Sequence, residues 1–284
     1  MDRVPELPEV ETMRRAVAGV AGSRVTAVTC PPCEKRALRI EPGLPELRRR
    51  MAGRTVREVA RAGKRVVLVL DSQDRLVIEP RMTGLVLLAD PPTHEHLRLV
   101  IELAGGPARE LLYWDRRGLG VVSLLGPAEF EARCGAARLG PDALGIGADV
   151  LRERLSPSAR PIKVALLDQS ALAGVGNIYA SEALHLARLH PLRPCAGLGK
   201  PEWTRLAAAL NQVLEAAVLA EGSDLGDGTY RSALEGAGFQ SQHRVYGRER
   251  ERCPTCKRGA IRRVVLAQRA TFFCAVCQRP PRAP

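Results

Sequence analysis

Four cysteines near the carboxyl end of the chain constrain its fold more than any other feature. Cys253 and Cys256 form one C-x-x-C pair, and Cys274 and Cys277 form a second pair after 17 intervening residues. Paired knuckles at this spacing are typical of a tetrahedral zinc site with four cysteine ligands. No export signal accompanies them, so disulfides are not favoured. The sequence predicts one structural zinc ion, because four protein ligands leave no open position for a catalytic water.

The segment between the two cysteine pairs carries two short strand patterns, at 261–265 and 271–273. The cysteines therefore predict a hairpin that the zinc ion holds together. Cys30 and Cys33 form another C-x-x-C, but no second pair accompanies them. A chance spacing or a minor local role fits these two residues better than a metal or redox site.

The rest of the chain changes its apolar pattern near residue 140. Before that point, short apolar segments alternate with turn sequences, which is typical of an antiparallel sandwich or barrel. The predicted strands are 25–29, 56–60, 65–70, 76–79, 85–88, 97–103, 110–114 and 121–124. The predicted helices, all after residue 151, are 161–169, 180–187, 201–219 and 230–235. We predict an α+β fold with a β-sandwich domain and flanking helices over 1–140, a helical domain over 141–240 and a zinc finger over 241–284.

The charge distribution indicates a negatively charged partner. The 284-residue chain has a formal net charge of +12, and its last 44 residues hold eleven Lys or Arg against two Asp or Glu. A cationic end of this kind suits a polyanion such as nucleic acid. No apolar run reaches the roughly 18 residues of a membrane span, and no signal-like segment opens the chain. We therefore expect a cytosolic protein.

A glycine-containing turn lies between two of the predicted helices, within the string DQSALAGVGNIYASE at 168–182. An isolated Gly-x-Gly is most simply a tight turn. Gly174 and Gly176 would also let the backbone approach a ligand, and the first N–H groups of the next helix would point toward a phosphate. Asn177 would add a side-chain donor at the same point.

A proline followed by a carboxylate lies near the amino end, at Pro5 and Glu6. Residues 8–20 have the proline, acidic residues and apolar spacing of a helix start, which is their simplest interpretation. A proline that begins a chain has a secondary amine that is partly unprotonated at neutral pH and can attack a carbon electrophile. Within a chain the same nitrogen is a non-basic amide. The chemistry available to Pro5 therefore depends on whether it is the first residue.

These features together resemble one known family, the formamidopyrimidine-DNA glycosylases. The opening PELPEVE at 5–11, the string 168–182 and QRATFF at 268–273 are similar to that family's start, helix-two-turn-helix motif and zinc finger. In the family the initiator methionine is removed and proline becomes the amino terminus, and Val4 stands in the place of that methionine. We expect that the true start lies three codons after Met1. The alternative is a catalytically inactive relative.

The resemblance implies a bifunctional DNA glycosylase and abasic-site lyase of base-excision repair, a monomer that acts on double-stranded DNA in the bacterial nucleoid. Formamidopyrimidine and 8-oxoguanine are the expected lesions. Oxidised pyrimidines are the alternative, because the glycine-rich stretch 221–230, which should frame the base pocket, does not discriminate between them. A non-catalytic protein that binds damaged DNA, which retention of residues 1–4 would require, is a second alternative. An RNA-binding zinc ribbon is a third.

The resemblance also implies catalytic roles for four residues. Pro5 would attack C1′ of an extruded nucleotide, and Glu6 would act as acid and base during opening of the sugar ring. The iminium would then allow β- and δ-elimination without Mg²⁺ or a nucleotide cofactor. Lys64 and Arg269 would contact the phosphates beside the lesion. Considered alone, Lys64 would more simply be a solvated surface charge.

Six further residues are implied to contact DNA. Met82 and Leu119 would fill the gap that the extruded base leaves, and Arg117 would hydrogen-bond the opposite base. The family commonly has Phe at the position of Leu119, so stacking there should be weaker. His94 would contact a phosphate, although a histidine at a strand end is a competing interpretation. The phosphate-binding turn contributes the other two, Gly176 and Asn177.

Overall fold

The structure is a computed structural model that describes residues 4–34, 36–223 and 238–280. The chain forms two compact units. One unit is Met1–Ala137 with Glu221–Gly236, and the other is Arg138–Ala220 with Ala237–Pro284. Each unit buries its own set of apolar side chains.

The first unit contains three helices and two sheets in its described part. Its helices are α1 (Leu7–Ala16), α2 (Leu44–Met51) and α3 (Pro127–Cys134), with 3-10 turns at Ala18–Val20 and His94–His96. Its strands are β1 (Arg24–Thr29), β2 (Arg39–Glu41), β3 (Val56–Ala62), β4 (Arg65–Leu70), β5 (Arg75–Glu79), β6 (Gly84–Leu87), β7 (Leu97–Ala104), β8 (Glu110–Asp115) and β9 (Val121–Leu125). One sheet has the order β1-β7-β8-β6, and the other has the order β2-β9-β5-β4-β3.

Side chains from both sheets form a single core. Val25 and Leu99 from the first sheet, and Ile78 and Val122 from the second, are fully buried in the same apolar cluster. Burial of each such side chain contributes about 1.5–3 kcal/mol. A shared core between two sheets is the sandwich that the alternating pattern predicts. The α+β prediction is confirmed.

Helix α1 packs on β3, β4 and β6. Leu7, Val10 and Met13 recur at three-residue spacing and are at most 3% exposed. The sequence predicts one helix over 8–20, but the structure ends α1 at Ala16 and continues with a 3-10 turn. β-Branched residues and a glycine follow in V-A-G-V, and both residue types lower helix propensity.

Three elements of the first unit are absent from the sequence prediction, namely β2, α2 and α3. β2 pairs in parallel with β9, so the second sheet is not wholly antiparallel as expected. A three-residue strand is too short to show alternation. α2 begins beside Pro45 and ends in three consecutive arginines, which obscure its apolar face at Leu47 and Met51.

The second unit contains four helices and one hairpin in its described part. These elements are α4 (Ala148–Leu155), α5 (Ile162–Leu166), α6 (Asn177–Leu186), α7 (Lys200–Leu219), β10 (Ile261–Leu266) and β11 (Arg269–Cys274). Short 3-10 turns lie at Cys195–Gly197 and Phe239–Gln242. Among the residues described, no helix has both the length and the apolar character to cross a membrane.

The helix boundaries of this unit differ from the predicted ones. α5 ends at Leu166 instead of 169, because the Asp168 side chain accepts a hydrogen bond from the Ser170 N–H (3.0 Å) and turns the chain. α6 begins at Asn177, three residues earlier than predicted. α4 was not predicted. The predicted helix at 230–235 lies outside the described residues.

Candidate active site

The amino end of the described chain is buried at the head of α1. Pro5 is buried and Glu6 is 4% exposed. The Glu9 carboxylate accepts hydrogen bonds from the Glu6 N–H and from the Ser223 N–H, both at 2.8 Å. Gly222 has φ +84°, and a Cβ there would lie 2.8 Å from a Glu9 oxygen. Glu9 therefore fixes the backbone of Glu6 and holds the 222–223 backbone against it.

A second carboxylate ties α1 to the sheet. Burial alone would raise the pKa of Glu11, but hydrogen bonds from three guanidinium groups outweigh it and lower the pKa to about 2. These groups belong to Arg14, Arg15 and Arg61. Because Arg61 lies on β3, its 3.1 Å contact with Glu11 anchors the helix that carries Pro5.

Lys64 lies in the tight turn between β3 and β4. Gly63 adopts φ +58°, and its carbonyl accepts a hydrogen bond from Arg61 (2.9 Å). The Lys64 side chain is half-buried. The turn thus presents one cation at a fixed point, although its proposed contact with a phosphate stays a prediction.

One buried carboxylate joins two loops, at 80–84 and 116–120. Asp115 is fully buried at the end of β8. One of its oxygens accepts from the Thr83 hydroxyl (2.5 Å) and from the Arg117 N–H (3.1 Å). The other accepts from the Gly120 N–H (2.8 Å). The structure therefore brings the two loops predicted to enter DNA together on one anchor.

These loops present the side chains that the sequence singled out. Met82 and Leu119 are half-buried, and Arg117 is exposed. The Tyr113 hydroxyl lies directly beneath both loops, where a Cβ at Gly84 or Gly120 would collide with it. Burial, followed by the nearby Asp115 charge, raises the pKa of Tyr113 well above its usual range, so the hydroxyl stays protonated.

The two histidines of the 94–96 turn differ in environment. His94 is exposed, whereas His96 is 7% exposed and packs edge-on against Trp114, with 5.5 Å between ring centres. His94 is therefore accessible to solvent or a ligand, and His96 has a packing role. Contact of His94 with a phosphate stays a prediction.

The predicted phosphate-binding turn is braced from behind. The Gln169 side chain accepts from the Gly174 N–H and donates to the Val175 carbonyl, both at 2.9 Å. Gly174 has φ +101°, which favours glycine. Gly176 caps the amino end of α6, and Asn177 is the first residue of that helix.

A buried lysine that the sequence analysis missed supports the same helix. The Lys163 side chain is fully buried and donates to the Asn177 carbonyl and the Ser181 hydroxyl, both at 2.7 Å. Its setting in PIKVAL, a single cation among apolar residues, is the signal that could have revealed it.

The tip of the cysteine hairpin meets the phosphate-binding turn. The Asn177 amide nitrogen donates to the Ala270 carbonyl (2.8 Å). Ala267 and Gln268 both adopt positive φ, which gives β10 and β11 a two-residue turn. Arg269 begins β11 with its side chain exposed. The structure therefore places Asn177 and Arg269 at one locus of the second unit.

The four C-terminal cysteines form one cluster whose sulfur atoms all lie within 4.8 Å of one another. Cys253 and Cys277 are 3.8 Å apart, and Cys256 and Cys274 are 3.7 Å apart. A tetrahedral zinc ion with Zn–S bonds of about 2.3 Å requires S–S separations of about 3.8 Å. The cluster therefore has the dimensions of a four-thiolate metal site.

Comparison with known proteins identifies the family. The family model "Formamidopyrimidine-DNA glycosylase N-terminal domain" matches residues 4–122, and the model "Formamidopyrimidine-DNA glycosylase H2TH domain" matches residues 139–227. The chain belongs to the formamidopyrimidine-DNA glycosylase family. The second model's match includes the helix-two-turn-helix string that the sequence analysis singled out.

Individual relatives match over nearly the whole chain. The formamidopyrimidine-DNA glycosylase of Chloroflexus aurantiacus is 39% identical over 282 residues, 97% of this chain and 98% of the relative. The crystal structure of the MutM (Fpg) protein of Thermus thermophilus has a TM-score of 0.81 and 39% identity, covering 98% of this chain and all of that one (100%). Lactococcus lactis Fpg in complex with Fapy-dG-containing DNA has a TM-score of 0.82 and 29% identity, covering 97% and 100%.

Proposed function

We propose that this protein is a base-excision-repair DNA glycosylase that removes oxidised purines, with formamidopyrimidine and 8-oxoguanine as lesions, and then cleaves the strand at the abasic site. The observation that carries the proposal is the Pro5-Glu6 pair, buried at the head of α1 where the family match begins. The complex of Lactococcus lactis Fpg with Fapy-dG-containing DNA supports a purine lesion.

The reaction begins with the amine of Pro5 in a chain that starts at that residue. Its lone pair forms a bond to C1′, and the bond from C1′ to the base breaks. Glu6 donates a proton to the sugar ring oxygen as the ring opens, which leaves an iminium between the Pro5 nitrogen and C1′. The iminium acidifies the adjacent C2′–H. Loss of that proton expels the 3′ phosphate, a second elimination expels the 5′ phosphate, and hydrolysis frees Pro5.

The two loops joined by Asp115 hold the duplex open. Met82 and Leu119 fill the space that the extruded nucleotide leaves, and Arg117 donates hydrogen bonds to the opposite base. Lys64 and His94 contact phosphates from the first unit. In the second unit, the phosphate contacts come from Gly176, Asn177 and Arg269, which support DNA binding independently of sequence.

The cysteine cluster holds one structural Zn²⁺. The sulfur separations fit a tetrahedral site, and the Gly259 N–H, 3.4 Å from the Cys256 sulfur, is the main cause that lowers the pKa of that thiol to about 6. Zinc would supply folding free energy to a hairpin that is too small to fold without it. We also propose the domain boundaries 1–140, 141–240 and 241–284, a monomeric state and action at the nucleoid in the cytoplasm, where the DNA substrate lies.

Replacement of one ligand should remove the metal. We expect Cys274→Ser to reduce bound zinc from about one ion per chain to near zero and to weaken DNA binding roughly tenfold or more, because the hairpin that carries Arg269 loses its support. Elemental analysis and a binding titration measure these effects. Cys134→Ser, outside the cluster, is the control. Wild-type protein with no zinc would contradict the assignment.

The base-displacing and phosphate-binding residues should fail differently. Arg269→Ala should weaken binding to damaged and undamaged duplex alike and reduce the salt slope by about 1. Leu119→Ala should keep that general affinity but reduce excision from duplex by roughly tenfold or more, while cleavage at an abasic site is spared. Leu119→Phe should match or exceed wild type. Equal loss of undamaged-DNA affinity in both alanine variants would show that Leu119 is only a packing residue.

A lesion panel tests the proposed function directly. Duplexes carrying formamidopyrimidine, 8-oxoguanine, an oxidised pyrimidine or no lesion are incubated with protein that begins at Pro5. We expect excision of both purine lesions and a one-nucleotide gap with phosphate at both ends. Preferential excision of the pyrimidine would instead support the alternative substrate. Binding without excision of any lesion would leave only a non-catalytic damage-binding protein.

A further inference from the structure

Arg98 is a buried cation on β7 that the function described so far does not use. Its side chain is 2% exposed. The Nε atom donates to the Asp115 carbonyl (2.7 Å), and the Nη1 atom donates to the Arg36 carbonyl (3.0 Å) and lies 2.7 Å from the Cys33 sulfur. One guanidinium thus bridges the 33–36 segment and the residue that opens the 116–120 loop.

The same guanidinium lies against the loop itself. A Cβ built on Gly118 would be 3.3 Å from Nη2 of Arg98 and 2.8 Å from the Arg36 carbonyl. Gly118 adopts φ +61°, so the loop approaches this pair with its backbone in a conformation that glycine favours. Nη2 is buried and has no hydrogen-bond partner among the residues that the structure describes. Arg98 therefore has one N–H-bearing nitrogen facing the loop backbone.

Charge gives a second reason for Arg98 at this place. Asp115 is fully buried, and its carboxylate accepts only hydroxyl and backbone N–H groups in the contacts given above. A buried charge needs a compensating partner. Arg98 supplies the opposite charge, bonded to the backbone of that same residue, and a neutral side chain there would leave Asp115 uncompensated.

We propose that Arg98 is a positioning residue for base displacement, which holds the 116–120 loop in the conformation that presents Arg117 and Leu119 to the duplex. The inference rests on the proposed function. A loop that is fixed in advance does not lose conformational entropy when it enters DNA, so excision from duplex should depend on this bracket. Elimination at an existing abasic site, where no base is displaced, should not depend on it.

Two variants of Arg98, made in protein that begins at Pro5, test the inference. Arg98→Met removes the charge and the hydrogen bonds, whereas Arg98→Lys keeps the charge without the planar fork. Single-turnover excision from lesion duplex and cleavage of a pre-formed abasic site are measured, with Arg109→Met as an exposed control on the same sheet. We expect duplex excision to fall at least tenfold in Arg98→Met and less in Arg98→Lys, with abasic cleavage within twofold of wild type.

The comparison with Leu119→Ala separates this inference from the proposed function. If Leu119→Ala slows duplex excision and neither Arg98 variant does, the positioning role is wrong and the function stands. Equal loss of both activities in the Arg98 variants would also overturn it, since a general folding defect acts on both. If Arg98→Met does not fold, the result for Arg98→Lys decides alone. Failure of the unmodified protein to excise any lesion would refute the proposed function itself.

Discussion

Protein that begins at Pro5 should form a covalent adduct with lesion-containing DNA that borohydride traps, whereas protein that begins at Met1 should bind the same DNA without an adduct above background. An amide nitrogen has its lone pair delocalised into the carbonyl and cannot form an iminium. A terminal secondary amine, with a pKa near the α-amino value of about 8, can do so at neutral pH. Gel analysis of the reduced reaction measures the trapped fraction.

Two controls make this comparison strict. Intact mass shows whether the longer protein keeps residues 1–4 throughout the reaction. DNA affinity of both forms on an uncleavable abasic analogue shows that the extension does not simply block binding. Equal trapping by both forms, with the longer one intact, would exclude Pro5 as the nucleophile.

Glu6→Gln should reduce base excision by roughly 10²–10⁴-fold, the usual contribution of a positioned acid–base group. The amide has nearly the same shape, and the Glu6 N–H keeps its hydrogen bond to Glu9, so the head of α1 should stay in place. Strand cleavage at a pre-formed abasic site should fall much less, because the base has already left. Single-turnover rates on the two substrates measure the difference.

An exposed carboxylate provides the matched control for this change. Glu58, on β3, has its side chain at the surface, and Glu58→Gln should leave both rates unchanged. A Glu6→Gln variant that excises bases at the wild-type rate would remove Glu6 from the mechanism. Equal loss on both substrates would show that Glu6 acts on the elimination and not on opening of the sugar ring.

The features most predictable from sequence were those that local spacing determines. The two cysteine pairs predicted a clustered ligand set, and the structure brings all four sulfurs together. The strands of the sandwich were predicted to within a residue or two, because one side of each faces a core and produces alternation. The glycine-containing turn before Asn177 was predicted for the same reason, since local backbone conformation requires those glycines.

What the sequence could not reveal depends on contacts between distant segments. Lys163, Asp115 and Arg98 each look like a surface charge in their local sequence, and only the fold shows that all three are buried. Their partners lie at sequence separations that no periodicity encodes, such as the 17 residues between Arg98 and Asp115. The parallel pairing of β2 with β9 was missed for the same reason.

The site of covalent attachment tests the central claim most directly. Protein that begins at Pro5 is reduced with borohydride on lesion-containing DNA, digested with nuclease and protease, and mapped by tandem mass spectrometry. The account predicts that the sugar remnant is attached to the nitrogen of Pro5, in the peptide that contains Glu6. Attachment to a lysine side chain, for example Lys64, would contradict it.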